Sequence, residues 1–263
     1  MYRTVRGSFF ISCLALLALV TSAEASSYQK TDGTIVNPIQ HPGLNGGDHP
    51  YDGVNLEPGA NLIDAGLADA SLIEADLAGA DLTGATLSNA WMNDADLSDA
   101  ILLGAALDWV NIMGTTANNA NLRGADLSLA YAPDASFRNA DFTGATLTTL
   151  DAARIDLFGA VLVNVTMDMV NLPGANLREA CLTCANITSA NFRNANLDYA
   201  DLENAYYYND FMPHGAIDWP SRGVLNMTWP DVPEACRVAA VPETSSLLLC
   251  FVGLLLLPQR RRR

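Results

Sequence analysis

The side chains able to do chemistry are few in this chain of 263 residues, and most stand apart. The closest pair is Cys181 and Cys184, in the run Cys-Leu-Thr-Cys. At that spacing two sulfurs can close a local disulfide, remain thiols, or offer half of a zinc site, which needs further ligands. Away from the chain's two ends Cys236 is the one sulfur left to contribute, so a zinc set does not assemble. Two histidines, His41 and His49, fall with Asp48 and Asp52 in HPGLNGGDHPYD, and His214 stands alone. A stretch so rich in Gly and Pro reads better as a cap or linker than as a metal cage. No nucleophile is accompanied by a base and an orienting group, and no phosphate-cradling glycine loop stands out. The expectation is a protein that is not an enzyme, without catalytic, cofactor-binding or metal-binding residues.

What the sequence has instead is a period. In ADLAGADLTGATL, Ala recurs at 75, 80 and 85 and Leu at 77, 82 and 87. Five helical steps of about 100° leave successive leucines about 140° apart, and five strand steps put them on opposite faces. A period of five buries every Leu only if the chain turns a corner once per repeat. That is a coil, and stacked coils make a solenoid.

From Ala60 to Tyr207 the register holds for 30 repeats without insertion or deletion. Leu holds 19 of the 30 central positions, and Met92, Ile112, Phe137, Phe142, Met167, Ile187 and Phe192 hold others, so the centre faces the core. Ala stands two residues earlier in 24 of the 30, which marks a crowded wall that larger side chains would strain. Asp or Asn often stands between the two, as at Asp76, Asp81, Asn121 and Asn176. Gly recurs two residues after the centre, as at Gly79, Gly84 and Gly104, where a tight turn can require positive φ. Val54-Asn55-Leu56 looks like a repeat but runs six residues ahead of Ala60-Asn61-Leu62. That offset predicts a bulged first corner at Glu57-Pro58-Gly59.

The Ala-(Asp/Asn)-Leu-x-x pattern resembles the pentapeptide-repeat family, over about 150 of the 263 residues. The resemblance implies an all-β fold, a right-handed quadrilateral β-helix with four pentapeptides per coil and about seven and a half coils. At about 4.8 Å per coil the rod would be about 36 Å long. Residues 20 apart should then stack, which turns the sequence into a surface map.

On that map Trp91, Trp109, Leu129, Tyr131 and Met169 gather on one outer edge, where Val110, Leu150 and Val170 also break the Ala rule. An apolar cluster of this size marks an interface or lies under the chain's own flanks. The flanks, 26–53 and 206–240, carry Tyr28, Ile35, Tyr51, Phe211, Trp219 and Trp229. Both readings stand, and a homodimer through this edge is one form of the first. A neighbouring face bears Asp76, Asp96, Asp99, Asp156, Glu179 and Asp198 and reads as a solvated acidic surface.

The ends read as addresses. Arg3 and Arg6 precede an apolar run from Phe9 to Val20, and Ala23 and Ala25 are the small residues at −3 and −1 of a cut before Ser26. This is a signal peptide pattern. At the other end Val241-Pro242-Glu243, an apolar run from Leu247 to Leu257 and Arg260 to Arg263 resemble the PEP-CTERM sorting signal, which an exosortase removes. Thr244 stands where the usual motif has a second Pro.

The expected division is therefore 1–25 signal peptide, 26–53 N-terminal linker or cap, 54–207 β-helix, 208–240 C-terminal cap and linker, and 241–263 sorting signal with a short apolar helix and an Arg tail. Signal peptidase and exosortase are the implied processing partners. The protein would be exported to the cell envelope, outer surface or medium after transient anchoring in the inner membrane.

With 29 acidic and 14 basic residues the formal charge is −15, which argues against nucleic acid as a partner. The expected function is an exported, non-enzymatic scaffold for a protein or surface polymer. A second reading follows from the resemblance: some family members are acidic rods that mimic DNA and inhibit type II topoisomerases. Export opposes it, because gyrase is cytoplasmic.

Overall fold

The computed structural model describes residues 27–37, 39–40, 49–51 and 53–208, with 222–225, and for 206–208 and 222–225 the backbone alone. The fold is a right-handed quadrilateral β-helix. Residue n pairs with n + 20 in parallel from Asn61↔Asp81 to Cys181↔Asp201, without a break in register.

Each repeat builds one side of a square. The residue before the centre bridges to the neighbouring coils: Asp81 N–H donates to Ala60 O at 2.9 Å, and Leu62 N–H donates to Asp81 O at 2.7 Å. The chain then turns through two residues, and the following Ala N–H closes the corner on the central carbonyl, as from Ala80 to Leu77 at 3.0 Å. The second turn residue takes positive φ, near 60° at every non-Gly example in the solenoid. That is the conformation a type II turn demands of its third residue.

Side-chain choice follows from this geometry. From Leu62 to Ala205 the centres and the Ala positions are buried, and the other three positions face outward with few exceptions. Around Phe137 several neighbouring centres are small. Phe137 and Phe142 pack with ring centroids 5.2 Å apart, while Ala117 precedes Phe137 by one coil and Ala132 and Ala152 occupy the adjacent side. Thr115 replaces an inward Ala and is fully buried, and its hydroxyl is satisfied by donating to Met92 O at 2.7 Å.

Outward Asp and Asn have a task of their own. Their Oδ1 accepts the N–H of the first turn residue two positions on, which no coil pairs: Asp96 from Ser98 at 2.8 Å, Asp141 from Thr143 at 2.8 Å, Asn196 from Asp198 at 2.9 Å. This explains the recurrent polar residue between Ala and Leu.

The first coil is closed by the N-terminal segment. Strand β1 (Tyr28–Gln29) pairs in parallel with Leu56, and its extension pairs in antiparallel fashion with Ala75. It thus enters the ladder between the first two coils on that side, and β2 (Ile35–Val36) pairs with it outside. Lys30 meets Glu74 at 2.7 Å, and Tyr28 Oη donates to Ile73 O at 3.2 Å. Ile39 lies fully buried over the open coil, and Gln40 O accepts from Ser71 N–H at 2.8 Å.

This corrects the reading of the first corner as bulged. Gly59 takes φ 72° and bonds Ala78 O at 2.8 Å, in register with Gly79 one coil on. The turn is ordinary. The six-residue offset arises because Leu56 fills the bridging position, where β1 covers it, and exposed Glu57 takes the central one.

At the far end β3 (Ala205–Tyr208) continues the repeat as a longer strand and pairs in antiparallel fashion with β4 (Arg222–Leu225).

Candidate interaction edge

The apolar edge is built by one corner column and the side that follows it. The column is formed by second turn residues, each one coil from the last: Asn89, Trp109, Leu129, Thr149, Met169 and Ser189. The adjoining side stacks Trp91, Asn111, Tyr131, Asp151 and Asn171 through consecutive parallel bridges. Trp91, Trp109, Leu129, Tyr131 and Met169 are 46, 58, 42, 46 and 53% exposed, so the five residues singled out from sequence stand open on one edge. Met113 adds a sixth apolar side chain on the same side. The described residues of the N-terminal flank do not cover it: Tyr28, Ile39 and Tyr51 pack at the first coil.

The column position carries a cost that spacing alone does not reveal. Trp109, Leu129, Thr149 and Met169 have φ of 60°, 61°, 56° and 56°. Left-handed backbone costs an ordinary L-residue about 1–2 kcal/mol, and it is least natural for bulky or β-branched side chains. The other three corner columns are filled mainly by Gly, Asn and Asp, which bear this conformation best. The signal was present in the sequence as the absence of Gly, Asn and Asp from positions 109, 129, 149 and 169.

Charge surrounds the patch. Asp108 and Asp168 precede the column, Asp151 lies within the adjoining side, and Asp126 flanks it. Asp108 accepts from Ser88 Oγ at 2.5 Å, and Asp151 accepts from Asn171 Nδ2 at 2.8 Å. At the next corner Arg154 grips Asp134 through Nε at 2.6 Å and Nη2 at 2.5 Å. That bidentate hydrogen bond holds the Asp134 carboxyl below the usual carboxylate range and raises Arg154.

The acidic face is arranged differently. Asp76 and Asp96 do bridge one coil apart, but the column continues through Thr116 and Ser136 to Asp156. Asp156 is met by Arg138 at 2.9 Å and by Asn176 Nδ2 at 2.8 Å, and Asp99 accepts from Asn119 at 3.1 Å. Among the described residues, no group of three or more His, Cys, Asp or Glu is placed to hold a metal ion.

Cys181 and Cys184 are both disulfide-bonded. Cys181 occupies an outward position yet is 1% exposed, and Asp201 one coil on is 6% exposed. His49 is buried in the N-terminal cap, with Nε2 2.7 Å from Ala68 O and Nδ1 3.1 Å from Tyr51 N. Ala23 and Ala25 of the cleavage site and Val241, Pro242 and Glu243 of the sorting motif lie outside the described residues, as do His41, His214 and Cys236.

A family model described as pentapeptide repeats matches in eight copies, over residues 60–99, 90–128, 111–149, 155–194 and 185–206. No curated protein matches. Among solved structures, a trypsin-treated form of QnrB1, a plasmid-mediated fluoroquinolone resistance protein, is 20% identical with a TM-score of 0.44, covering 51% of this chain and 68% of that one. HetL from the cyanobacterium Nostoc, a pentapeptide repeat protein involved in heterocyst differentiation regulation, is 23% identical with a TM-score of 0.19 over 61% and 88%. Rfr23 from the cyanobacterium Cyanothece is 27% identical with a TM-score of 0.26 over 42% and 60%. Scores this low say nothing of what the present chain binds.

Proposed function

The chain belongs to the pentapeptide-repeat family, and on that premise we propose that it is an exported, non-enzymatic interaction scaffold matured by signal peptidase and an exosortase-type enzyme. The observation that carries the scaffold reading is the column at 109, 129, 149 and 169. At 109, 129 and 169 large apolar side chains are held at positive φ, exposed on a frame that hydrogen bonds to itself at every coil, and Thr149 between them is β-branched. Gly or Asn would take this backbone conformation at less cost, so the turn does not explain the choice of residue, and a use outside the fold does.

Export rests on the chain's two ends, the signal pattern closing at Ala25 and the Val241-Pro242-Glu243 segment with its apolar run and Arg tail. Fractionation of the native host tests it. The processed chain, from Ser26 to near Glu243, should be recovered from envelope or medium, and deletion of 241–263 from the gene product should change how it divides between the two. Recovery from the cytoplasm alone would contradict the proposal. It would also move the topoisomerase reading forward, which a gyrase supercoiling assay then decides.

A further inference from the structure

We propose that the apolar edge docks a cationic amphipathic protein segment, one that carries Lys or Arg beside its apolar side chains. The inference deepens the scaffold reading and rests on it, but does not depend on export. The edge offers apolar area at Trp91, Trp109, Leu129, Tyr131 and Met169, all about half exposed. Its surroundings fix the sign of the partner. From Thr86 to Gly174, the outward positions on the two sides and two corners that form the edge hold six acids: Asp94, Asp108, Asp126, Asp134, Asp151 and Asp168. They hold one cation, Arg154, and Asp134 already grips it. Five carboxylates therefore face a partner without a basic side chain among them, and they favour a positive chain over a neutral or acidic one.

A second copy fits less well. A two-fold contact through this edge would bring the same acids against themselves, on chains that each carry a formal charge of −15. The geometry also suits a helix. The column repeats about every 4.8 Å along the rod, close to the helical pitch of about 5.4 Å, so side chains one turn apart meet Trp109, Leu129, Thr149 and Met169 in succession.

The test uses the full chain and two 18-residue helical peptides, one of Leu and Lys with Leu along a single face, the other with Glu in place of Lys. Calorimetric titration should show binding of the Leu/Lys peptide, weakened by added salt, and none of the Leu/Glu peptide. The triple variant W109N/L129N/M169N should bind at least tenfold more weakly. Asn suits positive φ, so this variant should melt no lower than the parent, which separates lost binding from lost fold. The variant D108N/D151N/D168N should also weaken binding, by more than D76N/D81N/D96N, which removes equal charge from other sides.

Failure of the parent to bind the Leu/Lys peptide would overturn the proposal, as would equal binding of both peptides. Undiminished binding by the folded Asn triple variant would do the same. A parent dimer that this variant dissociates in sedimentation would assign the edge to a second copy instead. None of these outcomes turns on where the protein resides, so a failure of the export reading remains separately visible.

Discussion

Leu129 shows the conflict between fold and surface at the scale of one residue. Its φ is 61° and it is 42% exposed, so it bears the cost of left-handed backbone while leaving much of its apolar surface open. Leu129→Asn should raise stability by about 1 kcal/mol, because Asn visits this region with less strain. Thermal denaturation checks it, and a lower melting temperature would show that Leu129 contributes to packing. Arg154 and Asp134 make a second prediction. The Asp134 carboxyl is held low by its hydrogen bond from Arg154. A depressed folded value means the pair's contribution is present above the ordinary carboxylate range and is lost as pH falls from there through the lowered folded value. Both groups are exposed, so solvent and salt weaken that contribution. In R154Q the Asp134 carboxyl should titrate at higher pH than in the parent, as followed by carboxyl carbon NMR. An unchanged titration would mean the contact is not maintained in solution.

The coil and the cap are the elements, and they differ in how far the sequence reveals them. Every coil was legible, because one central Leu and one wall Ala recur at fixed spacing and each satisfies the same local demand. The contacts of the N-terminal cap were not, because they are single and long-range. Ile39 covers a coil that starts near Leu56, and nothing periodic joins them. The apparent slip at Leu56 misled for the same reason: β1 covers that residue from a distant stretch, and the corner itself is regular. The two elements should fail differently. Phe142→Ala empties the middle of the rod beside Phe137 and should cost about 3–5 kcal/mol, measured by denaturant unfolding. His49→Ala leaves Ala68 O and Tyr51 N–H without their imidazole partner and should cost about 1–3 kcal/mol. Its loss should be local: amides of the first coil, such as Ser71, should exchange faster while those beyond Asn121 keep their protection. Uniform acceleration would show that cap and rod unfold as one unit.

The described residues form a rod with a few unusual columns, and the chain's two ends lie outside them. Because each coil contacts only its neighbours, the outer columns vary freely while the core stays constant. Function is therefore written in departures from the repeat. The positions of the apolar edge residues could be read from spacing alone. Their backbone cost could not, since it depends on which corner residue turns left-handed. The acids around them gain meaning only when the columns are laid side by side. At this scale the central claim is that the rod works outside the cytoplasm. The most direct test is the intact mass of the protein isolated from the envelope and medium of its native host. The account predicts a chain that begins at Ser26 and ends near Glu243. A full-length mass, found in the cytoplasm, would contradict it.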